Sequence, residues 1–221
     1  PADVFPRSVE AVAVSDLTRP VEWRALLKGV ETVVHLAGIT RAATDDTEDV
    51  YDRVNRLATA ELANAARSIG IKRLVFISSI RAQCGSSSTH VVRESDAAHP
   101  TDAYGRSKLA AEGAVRAAHV PFTILRPVLI YGPGVRGNLA RLIKLANTPW
   151  PLPLALCRNR RSLLARENLI AAIHFVLQTP ATSGETYIVA DPEPLTLAEL
   201  VTALRTGLGR APSLLPIPPA L

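Results

Sequence analysis

The sequence predicts an α/β fold: a doubly wound parallel sheet with a small C-terminal substrate lobe. Three observations carry this. Short Val- and Ile-rich runs alternate with longer segments of helical period, the runs are predominantly apolar as in strands buried on both faces, and the order is βαβα.

Taken in order, the strands are Ala11–Val14, Thr32–Ala37, Arg73–Ser78, Phe122–Arg126 and Thr186–Ala190, each a short apolar run rich in β-branched residues. Between and after them, 3.6-residue periodicity predicts helices over Val21–Lys28, Thr47–Ser68, Ala103–Ala118, Gly137–Ala146, Arg166–Leu177 and Thr196–Gly207. The Ala-rich stretches Ala58–Ala66 and Leu109–Ala118 suit close packing of helices on a sheet. Tyr131–Gly134 brings turn chemistry, and Thr148–Leu156 is too rich in Pro for a helix or a central strand, as is the end, Leu214–Leu221. The expected division is a sheet domain over 1–134 and 166–190, and a small lobe over 135–165 and 191–221.

Composition narrows the classes. With 221 residues, 48% hydrophobic and 20% charged, the chain has material for a sizeable core, which excludes disorder as a description of the whole. No apolar run approaches the roughly 18 residues of a spanning helix, and the N-terminus lacks a signal-peptide layout, so a cytoplasmic protein without membrane insertion is expected. Cys84 and Cys157 stand far apart without metal-ligand spacing, and neither a disulfide framework nor a metal site is expected. The net charge of +5 comes from Lys and Arg interleaved with acids, densest at Arg158, Arg160 and Arg161, and with 5% aromatics nucleic acid is not an expected partner. The chain contains no Met and begins Pro1-Ala2-Asp3, from which residues in front of Pro1 are expected.

The chemistry concentrates in Ser79 and, 25 positions on, Tyr104-Gly105-Arg106-Ser107-Lys108. Tyr and Lys four apart share one face of a helix, so an ammonium can sit beside the phenol. A phenol titrates near 10; a nearby positive charge favours phenolate and makes Tyr104 a general acid/base. Ser79 follows an apolar strand, and ligands of open α/β sheets bind beyond the carboxyl ends of strands.

On these residues, together with His35-Leu36-Ala37-Gly38, Asn55 and Thr59 in VNRLAT, Leu125-Arg126-Pro127 running into Tyr131-Gly132-Pro133-Gly134, and Arg161 in RRSLLARENL, the chain resembles the extended short-chain dehydrogenase/reductase family over nearly its whole length. Within it, the chain is similar to bacterial enzymes acting on nucleotide-sugars. The resemblance implies a Rossmann-type domain that binds NAD, with NADP as the alternative. It implies catalysis by Ser79, Tyr104 and Lys108 and cofactor contacts from Asp16, Leu17, Leu36, Ala37, Gly38, Asn55, Tyr104, Lys108, Pro127, Val128 and Leu129. Substrate contacts would come from Thr40, Ser79, Tyr104, Asn138 and Arg161, the guanidinium suiting a diphosphate.

Simpler roles stand beside these. Asp16 can start a turn, His35 can be a satisfied buried histidine, Asn55 can bond local backbone, and Arg161 can be a solvated surface residue. Two departures from the family pattern are visible: no glycine-rich phosphate loop precedes Asp16, so a first βαβ unit is expected to be missing, and Ile80-Arg81 follows Ser79 where dehydratases of the family carry an acid pair. The leading expectation is an NAD-dependent C4 epimerase of a UDP-hexose or UDP-hexosamine. The alternatives are an NAD(P)H-dependent 4-keto-sugar nucleotide reductase and a non-catalytic dinucleotide-sensing protein. The expected partner is the nucleotide-sugar, with a homodimer as a candidate assembly.

Overall fold

A computed structural model describes residues 6, 8–14, 16–40 and 47–217. The chain start at Pro1–Asp3 and the final residues of the Pro-rich end, 218–221, lie outside the described residues. Its elements are α1 (Trp23–Leu26), β1 (Thr32–His35), α2 (Thr47–Tyr51), a π-helical turn (Asp52–Leu57), α3 (Ala58–Ser68), β2 (Arg73–Ile77), α4 (Ile80–Gln83), α5 (Ala103–Ala117), β3 (Phe122–Pro127), β4 (Leu129–Tyr131), α6 (Gly137–Ala146), β5 (Arg160–Arg161), β6 (Leu163–Ala165), α7 (Arg166–Gln178), a 3₁₀ turn (Pro180–Thr182), β7 (Thr186–Val189), β8 (Leu195–Thr196) and α8 (Leu197–Gly207).

The expected Rossmann-like sheet is present, in the order β1-β2-β3-β7. β1 and β2 run parallel from Thr32↔Arg73 to His35↔Phe76, and β2 and β3 run parallel from Leu74↔Phe122 to Ile77↔Leu125. β2 is buried along its whole length, as the apolar run Leu74–Ile77 requires, with Arg73 donating to the Thr123 hydroxyl at 2.9 Å; among the described residues β1 lies at the edge of the sheet and is only half covered. The core joins Leu74, Phe76 and Ile124 of the sheet to Leu62, Ala63 and Ala66 of α3 and Ala111 and Val115 of α5. The alanines bring the two helices close to each other and to the sheet.

Two expectations about local structure need correction. Ala11–Val14 is not a strand: Val12 and Val14 are 54% and 44% exposed, and the run pairs with no strand among the described residues, so no ladder holds it extended. The single helix expected over Thr47–Ser68 is broken by the π-helical turn, which carries Asn55. Wide turns of this kind often re-aim a functional side chain.

Contacts divide the chain into one unit of 1–126 with 179–187 and a second of 127–178 with 188–221. This differs from the expected division chiefly in α7, which runs on directly from β6 and groups with it and its parallel partner β4. In the second unit β5 pairs antiparallel with β8, and α8 starts at a capping box in which Thr196 and Glu199 bond each other's backbone N–H. Leu139, Leu163 and Leu200 form one apolar cluster there, and Ala146, Leu152 and Val201 another.

The Pro-rich segment is irregular, and a buried cation holds it. Arg205 of α8, 2% exposed, donates to the carbonyls of Thr148 (2.7 Å), Trp150 (3.1 and 3.2 Å) and Ser213 (3.1 Å). Its replacement by Ala leaves three carbonyls short of a donor. We expect Arg205→Ala to cost about 2–4 kcal/mol, read as a lower Tm, with Arg205→Lys recovering only part because an ammonium cannot span the same set. An unchanged Tm contradicts the role. Among the described residues, no helix is long and apolar enough to cross a membrane.

Candidate active site

The C-terminal ends of β1 and β2 and the first turns of α5 meet in the first unit. Ser79 leaves β2 in extended conformation and caps α4, its Oγ accepting from the Arg81 N–H at 3.2 Å. Asp102 caps α5, its Oδ1 accepting from the Gly105 N–H at 2.7 Å while its other oxygen pairs with the Arg81 guanidinium. Gly105 is required here: a Cβ would stand 2.3 Å from the Arg81 carbonyl oxygen. α4 and α5 thus touch through backbone, and Tyr104 is delivered to the side of Ser79, whose hydroxyl favours the phenolate.

The electrostatics differ from the simplest expectation of an ammonium beside the phenol. Burial raises the Tyr104 phenol above its ordinary value; the Ser79 hydroxyl and, more weakly, the Arg81 guanidinium pull it back, while Asp102 and Tyr51 push it further up. The Lys108 Nζ donates to the Ile77 carbonyl at 2.8 Å and lies 4.2 Å above the Phe76 ring. Burial brings Lys108 down to about 8, partly opposed by the carboxylate of Glu112.

Lys108 carries its charge below about pH 8 and loses it above, so a rate that needs the ammonium falls as pH rises through 8. Because the unfolded lysine keeps its proton to a higher pH, the same residue makes folding more favourable as pH rises from about 8 towards 10.5. Log kcat against pH should show a basic limb near 8; a flat profile to pH 9.5 contradicts this assignment.

Asn55 ties the strand end to α5. Its amide donates to the Ile39 carbonyl and to the Ser107 hydroxyl, both at 3.0 Å, and its Oδ1 accepts from the Ile39 N–H at 2.9 Å. Gly38 makes room for it: a Cβ there would lie 2.9 Å from Asn55 Oδ1 and 3.9 Å from Lys108 Nζ. His35 stacks on Phe76 and bonds Thr59 Oγ1 at 2.9 Å. Since Thr59 spends its proton on the Asn55 carbonyl at 2.6 Å, His35 is the donor through Nε2. Burial, with Lys108 nearby, lowers His35 to about 4, so it is neutral and structural here.

The structure thus gathers Gly38, Asn55, Ser79, Tyr104 and Lys108 from the candidate set. Leu36, Ala37, Gly38 and Thr40 form an exposed strip at the end of β1, with Leu36 62% exposed, and the Thr40 carbonyl accepts from the Tyr51 hydroxyl at 3.1 Å. An exposed apolar strip beside a buried cation fits the ring-and-ribose end of a dinucleotide. Asp16 heads a turn, its Oδ1 accepting from the Thr18 N–H at 2.9 Å, with Leu17 following it. Pro127, Val128, Leu129, Asn138 and Arg161 belong to the second unit, where Val128 N–H donates to Val189 and Asn138 and Arg161 are exposed. Among the described residues no three His, Cys, Asp or Glu side chains cluster as metal ligands.

Sequence reasoning missed several neighbours. Tyr51 packs its ring 6.1 Å from that of Tyr104, and its only sequence signal is its place four residues before Asn55. Arg81 and Asp102 are 21 positions apart and read as ordinary surface residues. Glu112 continues the Tyr104, Lys108 stripe by one more step of four, a spacing open to view in YGRSKLAAE.

Residues 4–190 match the NAD dependent epimerase/dehydratase family. A UDP-glucose 4-epimerase of Vibrio cholerae is 31% identical over 214 residues, spanning 93% of this chain and 65% of that protein. A ceramide reductase of Caulobacter vibrioides is 30% identical over 219 residues, spanning 99% of this chain and 63% of that protein. The chain therefore spans less than two thirds of the length of these two relatives. Among solved structures, a UDP-glucuronic acid 4-epimerase of Bacillus cereus in complex with NAD superposes with a TM-score of 0.77 at 23% identity, covering 91% of this chain and 68% of that one.

Proposed function

Because the chain belongs to the NAD dependent epimerase/dehydratase family, we propose that it is the catalytic part of an enzyme that inverts C4 of a UDP-hexose or UDP-hexosamine through a transient 4-keto sugar. The observation that carries this reading is the placement of Tyr104 beside the Ser79 hydroxyl, with Lys108 one helical turn away on α5. In this reading NAD, when bound, supplies the hydride acceptor and donor at C4. The exposed strip Leu36–Gly38 and Lys108 hold one end of that cofactor, with Asn55 fixing the strip.

Tyr104 takes the proton of the sugar 4-hydroxyl and later returns one to the opposite face, while Ser79 holds the same oxygen. The raised affinity of the half-buried phenol for its proton suits the return step; Ser79 and Arg81 favour the departure of that proton. Asn138 and Arg161 are assigned to the nucleotide diphosphate, where a guanidinium offers paired donors. We expect Arg161→Ala to raise KM for the UDP-sugar about tenfold with kcat nearly unchanged, because the contact is equal in ground and transition states. An unchanged KM removes Arg161 from the site.

The test is an assay of the protein with UDP-glucose and UDP-N-acetylglucosamine, with and without added NADH. Epimer formed without added NADH supports the proposal. The second reading, reduction of a 4-keto-sugar nucleotide by external NAD(P)H, is supported instead if turnover consumes NADH in proportion to product. A cytoplasmic location and a homodimer belong to the same proposal, and sedimentation of the protein checks the second.

A further inference from the structure

Behind Tyr104 and Lys108 lies a buried ion pair that the proton transfer itself does not use. Glu112 is 0% exposed and sits one turn beyond Lys108 on α5. Its Oε1 accepts from the Ser78 hydroxyl at 2.6 Å and from Arg126 Nε at 2.8 Å, and its Oε2 accepts from Arg126 Nη2 at 2.6 Å. Arg116 approaches Oε2 at 3.3 Å from the partly exposed side of the helix. Arg126 also donates to the Gln83 side chain of α4. Gln83 in turn donates to the carbonyls of Asp96 (2.7 Å) and Arg93 (3.3 Å). One carboxylate therefore joins α5, the end of β2, the end of β3, α4 and the segment after it.

A buried ion pair is weak as a source of stability, since desolvation offsets most of its attraction. Its placement is informative instead. Ser78 is the residue immediately before Ser79, and Glu112 is four residues after Lys108, so the bond between them pins both partners of Tyr104. The ionisable groups facing Lys108 are His35 from β1 and Glu112 from α5 itself, with Arg126 and Arg116 facing Glu112. His35 is neutral, and Glu112 supplies the negative charge.

We propose that Glu112, with Arg126 as its buried counter-ion, is a positioning residue for the Ser79–Tyr104–Lys108 set: it fixes the end of β2 from which Ser79 departs and sets its carboxylate one helical turn from Lys108. The effect on rate rests on the epimerase reading; the effect on Lys108 does not.

The test uses Glu112→Gln and Ser78→Ala. Acylation of Lys108 by acetic anhydride, followed by mass spectrometry as a function of pH, needs no substrate. Glu112→Gln removes the charge and should lower the midpoint for Lys108 by about one pH unit, with the basic limb of kcat moving the same way. Ser78→Ala keeps the Glu112–Arg126 pair and is the variant that decides if Glu112→Gln fails to fold. It should loosen α5 from β2, so that Lys108 reacts severalfold faster at pH 7 and kcat falls about fivefold with KM unchanged. Wild-type acylation of Lys108 in the folded variants overturns the proposal and leaves Glu112 a purely structural residue. Shifted acylation in a protein that turns over no UDP-sugar keeps the positioning role and rejects the epimerase reading.

Discussion

Tyr104→Phe is expected to lower turnover of a UDP-sugar at least a thousandfold while NAD affinity stays within about threefold of wild type. The substitution removes one oxygen and keeps the ring that packs against Tyr51. Folding should be nearly unaffected, because the phenol is only partly buried and Ser79 keeps its bond from the Arg81 N–H. In the proposed mechanism the lost oxygen takes and returns the proton at O4, and general acid/base groups contribute typically 10²–10⁴-fold, here in both halves of the reaction. Lys108, anchored to the Ile77 carbonyl, cannot stand in for it. Retained activity with an intact fold would remove Tyr104 from the mechanism. NAD affinity from fluorescence titration separates that outcome from a loss of binding.

Gly105→Ala is the second change with a large expected effect. In an isolated helix it would stabilise, since Ala is the better helix former by about 1 kcal/mol. Here the added Cβ meets the Arg81 carbonyl oxygen at 2.3 Å, and ordinary carbon–oxygen contacts lie about 1 Å farther out. The neighbour is backbone and cannot rotate away, so α4 and α5 must part. Overpacking of this kind costs about 1–3 kcal/mol, which outweighs the helix propensity. The consequence for rate is larger. Arg81 donates its N–H to Ser79 and pairs with Asp102, so a shift at Arg81 carries Ser79 away from Tyr104. A displacement near 1 Å between reacting groups costs about a hundredfold. Gly105→Ala should therefore lower kcat about a hundredfold and lower Tm; kcat within threefold of wild type would show that α4 and α5 are not coupled to the chemistry.

Much of this arrangement was legible in the residues alone. β2 and β3 were readable because an apolar run buried on both faces leaves little choice of structure, and α5 because Tyr104, Lys108 and the Ala-rich stretch after them share a helical period. Ser79 and Tyr104 were legible as a pair because each has a chemically specific place, at a strand end and on a helix face. Ala11–Val14 misled because a strand-like composition makes no strand without a ladder partner. The π-helical turn was hidden because Asn55 widens the helix to reach the Ile39 backbone, a contact set by the sheet rather than by helix propensity. Arg81, Asp102 and the Glu112–Arg126 pair were hidden for the same reason: each becomes informative only through a partner 14 or more positions away. The direction of Lys108 was misjudged because spacing on a helix gives the face and not the hydrogen bond, and the Ile77 carbonyl takes the ammonium that was expected beside the phenol.

In the proposed reaction hydrogen leaves C4 of a UDP-sugar and returns to the other face. The most direct measurement is turnover of UDP-glucose carrying deuterium at C4, in ordinary water and without added NADH, followed by NMR of the product. The proposed reaction yields the C4 epimer with its deuterium retained at C4, formed by wild type and not by Tyr104→Phe. An epimer that has lost the label to water, or a product formed only in proportion to added NADH, would contradict it.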